Sequence, residues 1–319
     1  MEKIKSKKLI SLVISAYNEE DNIEPLYLEL LKVLQKINVN YEIIFVNDGS
    51  KDHSLAKMVG MSEIDENIRI INFSRNFGHE IAMTAGMDYA HGDALIFMDS
   101  DLQHPPELIK AMIDKWIGGV DVVITKRTNN EDESWLKKQI SKVYYKCLNF
   151  LSEVEIAGGY PDFRLIDRKY IDRIKKIGER DRLFRGILHW VGIKNYETIE
   201  FVAPKRIHGD SKYSFLKYAN LGISAILQFS IKPLRVITIF GFCASVTSIL
   251  YAFYIVFDHI IFRRPETGFS TIITLMVILF SIQTTIIGVI GEYVGRIHLE
   301  IKKRPLYFAD IIESGKKNV

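Results

Sequence analysis

At 319 residues, 48% of them hydrophobic, the chain can build one full-sized catalytic domain and still carry an appendage. Basic and acidic residues nearly cancel, 42 against 39, so neither a nucleic-acid footprint nor an acidic tail is indicated. Two cysteines, Cys147 and Cys243, are too few and too scattered for a disulfide framework or a thiolate metal cluster, which makes reducing surroundings the default.

The chain opens with lysines and the apolar run LISLVIS. This looks like a signal peptide but is too short, and it breaks at YNEED instead of a small-residue cleavage site, so it reads as a first strand. YEIIFVND, IRIINFS, ALIFMDS and DVVITK follow as further short runs rich in β-branched and aromatic residues. Between them lie helical spacings such as Ile23, Leu26, Leu30, Leu31 and Leu34. Nearly continuous apolar strands alternating with helices predict an α/β fold, with a mostly parallel sheet covered on both faces. Such a sheet binds ligands beyond the carboxyl ends of its strands. Polar clusters collect at those ends: Tyr17 to Glu20, Asn47 to Ser50, Arg75 to Gly78, and Asp99 to Asp101.

The fourth cluster is the most informative. In an extended strand end, residues two apart point to the same side, so Asp99 and Asp101 both face the crevice while Ser100 faces away. Two converging carboxylates repel unless a cation joins them, and Mg²⁺ or Mn²⁺ completed by substrate phosphate oxygens and water suits the pair. The plainer alternative is an Asp-rich turn capping a helix, and its place on the fourth strand of this pattern argues against that. Asp48 could accept from a base N–H or from ribose, or be a turn former in NDGS. Glu19 could be first-turn helix charge, whereas Arg75 and His79 flank NFG and could meet a phosphate. The sequence has no GxGxxG or Walker pattern to support a dehydrogenase or a P-loop enzyme.

Later in the chain, Phe215, Tyr218, Leu221 and Ala225 recur at helical intervals near Lys212 and Lys217, which predicts an amphipathic helix lying in a membrane interface over 211–232. Val236 to Phe257 and Thr267 to Gly291 then carry no formal charge, and each run is long enough to span about 30 Å of hydrocarbon as a helix. Lys232 and Arg235 precede the first span and Arg296, Lys302, Lys303 and Arg304 follow the second, outnumbering Arg263 and Arg264 in the connecting loop. A hairpin with both ends, and the large N-terminal domain, on the cytoplasmic side is the expectation. Gly291 and Gly295 would permit close helix packing and a homo-oligomer.

SLVISAYNEEDNI, IIFVNDGSKDHS, the long stretch from NFSRNFGHE to MDSDLQHPPE, PDFRLIDR and RIHGDSKYSF together resemble family 2 glycosyltransferases of the polyprenyl-phosphate branch. That branch includes dolichyl-phosphate mannose synthases and bactoprenol glucosyltransferases, and the likeness covers most of residues 9 to 220. It implies a GT-A catalytic domain over 1–210, the interfacial helix over 211–232, a transmembrane hairpin over 233–297 (about 234–258 and 267–292) and a cytoplasmic tail over 298–319. It also implies an inverting, metal-dependent transfer from a nucleotide-sugar to polyprenyl phosphate, at a bacterial inner membrane, in the making of a cell-envelope glycan.

By the same resemblance Asp99, Asp101 and Gln103 correspond to the metal and diphosphate motif, and Ala16, Tyr17, Glu19, Asp48 and Ser50 to nucleoside positions, with Arg75, His79 and Ser100 on the nucleotide side. Asp162 and Arg164 fall where the family meets the transferred sugar or the acceptor phosphate, and Arg206, Ser211 and Lys212 fall in the acceptor-side loop. One departure stands out: relatives often carry an Asp shortly before DFR, where this chain has IAGGYPDFR with Ala157. The donor expected is UDP-glucose, with mannose from GDP-mannose or an aminoarabinose derivative as alternatives. A catalytically silent membrane scaffold or lipid-phosphate-binding protein is the alternative from another class; the Ala157 departure favours it, and intact Asp48, Asp99 and Asp101 oppose it. A lipid phosphate is already anionic, so Asp162 would orient rather than deprotonate.

Overall fold

The computed structural model describes residues 8–128, 160–180, 184–202, 204, 230, 232–262 and 268–313. These fall into two compact units: one takes the chain up to residue 204 and again from Arg304, and the other runs from residue 230 to Lys303. Arg206, Ser211, Lys212 and Ala157 lie outside the described residues, as does the expected interfacial helix apart from Ser230 and Lys232.

The first unit is built on an eight-stranded sheet. β1 (Leu9–Ala16), β2 (Asn40–Asn47), β3 (Ile68–Phe73), β4 (Ala94–Asp99) and β5 (Val122–Arg127) coincide with the five expected strands to within a residue or two. Between them run α1 (Glu20–Leu34), α2 (Ser54–Ile64), α3 (His79–Tyr89) and α4 (Leu108–Ile117). The chain continues through β6 (Arg164–Asp167), α5 (Arg168–Ile174), α6 (Phe184–Trp190) and β7 (Tyr196–Phe201). β8 (Ala309–Glu313) closes the far edge, giving the order β7-β5-β6-β4-β1-β2-β3-β8. β1 to β5 and β7 run one way, while β6 and β8 run against their neighbours.

Alternate residues of the central strands feed two cores, which is why those strands are apolar throughout. Leu12, Ile14, Phe45 and Ile96 pack with Ile23, Leu26, Leu30, Met58 and Ile113 of α1, α2 and α4. Val13, Ile44, Val46 and Phe97 pack on the other face with Ala82, Met83, Ile171 and Phe184 of α3, α5 and α6. A three-layer α/β/α domain results.

Three strands escaped the pattern reading. β6 is four residues long and begins and ends on charge, yet it slots between β4 and β5 and brings Arg164 beside Phe97. β7 is amphipathic and lies at the sheet edge. β8 lies in the stretch expected to be a tail, and its partner β3 is more than two hundred residues earlier in the chain.

The second unit contains α7 (Lys232–Phe262) and α8 (Phe269–Ile301). Both are long and apolar enough to cross a membrane, over Leu234–Tyr251 and Leu275–Ile301. Phe240, Phe242, Phe253 and Phe280 are exposed, and apolar residues surround each helix instead of forming a stripe. α8 continues past the expected end near residue 292 to Ile301, and within the added turns Arg296 reaches back to Glu292 at 3.2 Å, an i,i+4 pair that favours the helix.

Gly86 in α3 lies flush on β1: a Cβ there would meet Val13 Cγ1 at 2.1 Å, whereas one at Gly60 in α2 would meet nothing. Gly86→Ala should therefore lower stability by about 1–3 kcal/mol, while Gly60→Ala should raise it by about 0.4–1 kcal/mol. Thermal unfolding of the two variants checks the opposite signs.

Candidate active site

The site forms where β4, β1, β2 and β3 end. Strand register places Asp99 opposite Ser15, Ala16 opposite Asn47 and Asn47 opposite Asn72, so four neighbouring strands finish in one polar row. Three strand spacings make that row about 14 Å long. Asn47 donates through Nδ2 to Asn72 Oδ1 at 2.7 Å, and its own Oδ1 accepts from Ser50 N at 3.2 Å. These residues line a cleft of about 620 Å³, together with Tyr17, Lys51, Leu55 and the wall from Phe73 to Asn76.

Two loops are locked to form its floor. Asn18, with a left-handed φ of 54°, donates its backbone N–H to Ser50 Oγ at 3.0 Å and accepts from Lys51 N at 2.8 Å. Glu19 N–H donates to Ser54 Oγ at 2.9 Å, and the Glu19 carboxylate accepts from Asn22 at 2.7 Å. Gly49 is required beside them: its φ is +66°, and a Cβ would sit 2.4 Å from the Arg75 carbonyl carbon.

Asp48, expected to meet a nucleoside, is bound by the loop that follows β3. It is buried, and its carboxylate accepts from Phe77 N at 2.6 Å, Gly78 N at 3.0 Å and Asn76 Nδ2 at 3.0 Å. Burial pushes its pKa up, opposed by those two backbone N–H groups and by the nearby His79 and Arg75. Asp48 therefore shapes the loop that forms one cleft wall. Arg75, on that wall, lays its guanidinium 4.0 Å from the centre of the Phe77 ring.

His79 lies at the other end of the row. Its Nδ1 shares a hydrogen bond with Ser15 Oγ at 2.8 Å, and its Nε2 sits 3.5 Å from both Asp99 Oδ1 and Asp162 Oδ2. Enclosure disfavours the charged ring, but Asp99 and then Asp162 outweigh it and raise the pKa to about 10. Asp162 in turn pairs with Arg164 at 2.5 Å, and both are buried. Arg164 also donates to the Pro161 carbonyl at 3.0 Å and so faces inward.

The expected residues thus separate into two neighbouring groups. Tyr17, Ser50 and Arg75 line the cleft, while His79, Asp99, Asp162 and Arg164 form a chain of alternating charge. Ala16 and Ser100 are buried at strand ends, and Asp101 folds its Oδ1 onto Gln103 N at 3.1 Å. His104 was missed. It is buried, its Nδ1 accepts the Asp99 backbone N–H at 3.0 Å, its Nε2 lies 3.6 Å from Asp99 Oδ2, and its ring stacks on Phe163 at 5.1 Å. Its only sequence signal was a histidine placed between DSD and PP. Asn47 and Asn72 were legible in principle, as asparagines near the ends of two otherwise apolar strands.

Among the described residues no three His, Cys, Asp or Glu side chains are grouped to hold a metal by protein ligands alone. The donor set still fits Mg²⁺ or Mn²⁺, which take one or two carboxylates and leave their other positions to water and phosphate. The Asp99 side chain keeps 36% of its surface accessible and has histidine nitrogens near both of its oxygens, beyond hydrogen-bond range.

Residues 11–175 match the family model for glycosyl transferase family 2. The chain belongs to that family. Residues 232–297 match a second model, the GtrB C-terminal hairpin, which marks the second unit as membrane-associated. An uncharacterized glycosyltransferase of Synechocystis sp. is 41% identical, with 93% of each chain covered. A prophage-derived bactoprenol glucosyl transferase of Shigella flexneri is 38% identical over 93% of this chain and 96% of that one. The fold is also that of mannosyl-3-phosphoglycerate synthase from Rubrobacter xylanophilus, with a TM-score of 0.50 at 12% identity, covering 73% of this chain and 75% of that one. The GT-A-like sheet and glycosyltransferase activity expected from the motifs hold.

His104→Phe keeps this glycosyltransferase's ring stack on Phe163 but leaves the Asp99 N–H without its acceptor. Stability should fall by about 1–3 kcal/mol, with His104→Asn recovering part of it through its amide oxygen. Thermal unfolding of the detergent-solubilised enzyme measures the difference.

Proposed function

We propose that this enzyme transfers glucose from UDP-glucose to polyprenyl phosphate at the cytoplasmic face of the membrane, with inversion at the anomeric carbon. The observation that carries the reading is the polar row from Asn72 to Asp99, which joins a cleft of nucleoside size to strand-end carboxylates. The glucosyl group and the lipid acceptor are inferred from relatives named bactoprenol glucosyl transferase.

In this reading the nucleoside lies between Tyr17, Asn47, Ser50 and Asn72, and Arg75 faces its phosphates. Asp99 and Asp101, with the Gln103 amide oxygen, would hold Mg²⁺ or Mn²⁺, which when bound neutralises charge on the departing diphosphate. Asp162, fixed by Arg164 and His79, orients the sugar. An oxygen of the acceptor phosphate attacks the anomeric carbon from the face opposite the diphosphate. The new carbon–oxygen bond forms as the old one breaks, and the nucleoside diphosphate leaves with the electron pair. The acceptor arrives as an anion, so no side chain has to remove a proton. Arg206, Ser211 and Lys212, in the segment leading to the first span, would grip that phosphate by charge-assisted hydrogen bonds.

Two features support a hairpin with both ends in the cytoplasm. β8 follows the hairpin in sequence yet belongs to the same sheet as β1 to β4, which requires an even number of crossings. Lys232 and Arg235 at one end and Arg296, Lys302, Lys303 and Arg304 at the other obey the positive-inside rule.

Asp99→Asn or Asp101→Asn should cut transfer by at least about a hundredfold, since each removes charge stabilisation worth several kcal/mol, without unfolding the domain. The assay follows radiolabelled sugar passing from a panel of nucleotide-sugars to added polyprenyl phosphate. A different preferred donor would correct the sugar, and activity retained by both variants would overturn the assignment of these carboxylates. Arg206→Gln and Lys212→Gln should each raise the acceptor KM at least about tenfold, the loss of about 1.5–3 kcal/mol of phosphate contact, while UDP affinity measured by calorimetry stays put.

A further inference from the structure

We propose that the segment following the membrane hairpin supports the donor site from outside, with Tyr307 as the positioning residue that holds the outer wall of the cleft. The inference rests on reading that cleft as the nucleotide site.

The wall runs from Asn72 to Asn76, and its first half belongs to β3. Without β8, β3 would be an edge strand with one row of backbone groups unpaired and its end held only from the β2 side. β8 supplies that neighbour, pairing Asp310 with Asn72 and Ala309 with Phe73. Contact continues into the loop, where Ser74 N–H donates to the Phe308 carbonyl at 3.1 Å. Every wall residue up to Ser74 is therefore held from behind by the C-terminal segment.

Tyr307 adds side-chain grip. Its ring stacks on Phe73 with centroids 5.0 Å apart and planes 24° from parallel, and Phe73 meets Phe77 edge-on at 5.5 Å. Phe77 is the residue whose N–H binds Asp48 and whose ring carries the Arg75 guanidinium. A continuous ring contact thus runs from Tyr307 to the side chain that faces the phosphates. The Tyr307 hydroxyl donates to Asp88 Oδ2 at 3.1 Å, and burial together with Asp88 pushes its pKa up, so it stays a donor. Arg180 ties down the start of the segment by donating to the Arg304 carbonyl. None of these groups reaches the cleft interior, so they act on the donor only through Phe73, Ser74 and Arg75.

The test uses the full-length enzyme in nanodiscs with UDP as the probe. Losing the ring stack in Tyr307→Ala should raise the UDP Kd and the donor KM together, by about three- to tenfold, with kcat and the acceptor KM unchanged. Tyr307→Phe keeps the stack and should restore donor affinity to within about twofold of the wild type. In the wild type, UDP should slow amide exchange at residues 72–77 and also at 305–312, a measurement that decides the matter even if Tyr307→Ala does not fold. Unchanged UDP affinity in a folded Tyr307→Ala whose melting temperature has dropped would assign Tyr307 to stability alone. Protection of 72–77 without any at 305–312 would overturn the proposal in the same way. If the wild type binds neither UDP nor GDP, the nucleotide reading of the cleft itself fails, and this inference falls with it.

Discussion

The site depends on one buried carboxylate. Asp48 sits at the end of a strand that is apolar on both faces, where an unpaired charge would cost several kcal/mol. It is tolerated because Asn76, Phe77 and Gly78 converge on it. Satisfying Asp48 bends the chain sharply after β3 and starts α3 at His79. The same interaction therefore sets the cleft wall on one side and delivers His79 to Asp99 and Asp162 on the other. Gly49 makes the arrangement possible, since any side chain there would strike the Arg75 backbone.

From His79 onward the organising force is electrostatic. Asp99, His79, Asp162 and Arg164 alternate in sign and are held by neighbours of opposite charge, by the hydrogen bond His79 shares with Ser15, and by the one Arg164 donates to the Pro161 carbonyl. Three stretches distant in sequence, the end of β4, the start of α3 and the DFR segment, meet in this chain. The antiparallel β6 is what brings the third of them in, because pairing with β4 places Arg164 opposite Phe97. His104 joins the first and third from the opposite flank, bonding to the Asp99 backbone and stacking on Phe163. Carboxylates fixed in this way keep their orientation as a substrate arrives, and preorganisation of that kind is how enzymes gain electrostatic catalysis.

The second unit answers to a different solvent. Its helices are apolar all round, and their hydroxyls turn back onto the helix: Thr238, Thr247, Ser248, Ser281, Thr284 and Thr285 each donate to the carbonyl four residues earlier. Such bonding satisfies polar groups that hydrocarbon could not. The chain then leaves α8 and returns to the first unit as β8, so the edge of the catalytic sheet is completed by residues translated after the hairpin. Catalytic domain and membrane anchor are not successive beads on the chain.

What the sequence determined by itself was whatever rests on local periodicity and on the chemistry of residues close together. Five apolar strands, the polar clusters at their ends, the Asp99–Asp101 pair and the two uncharged spans could all be read, because burial on both faces of a sheet or within a bilayer imposes composition directly on short segments. Tertiary structure decided everything that depends on partners far apart in the chain. Nothing local says that the Asp48 carboxylate will be bound by the loop at 76–78, that His79 will reach Asp162, or that His104 will stack on Phe163. β6 and β8 are too short, or too polar at their ends, to announce themselves, and each is a strand only because a neighbour supplies its hydrogen bonds. A strand's pairing partner is fixed by long-range contacts that no window of the sequence contains.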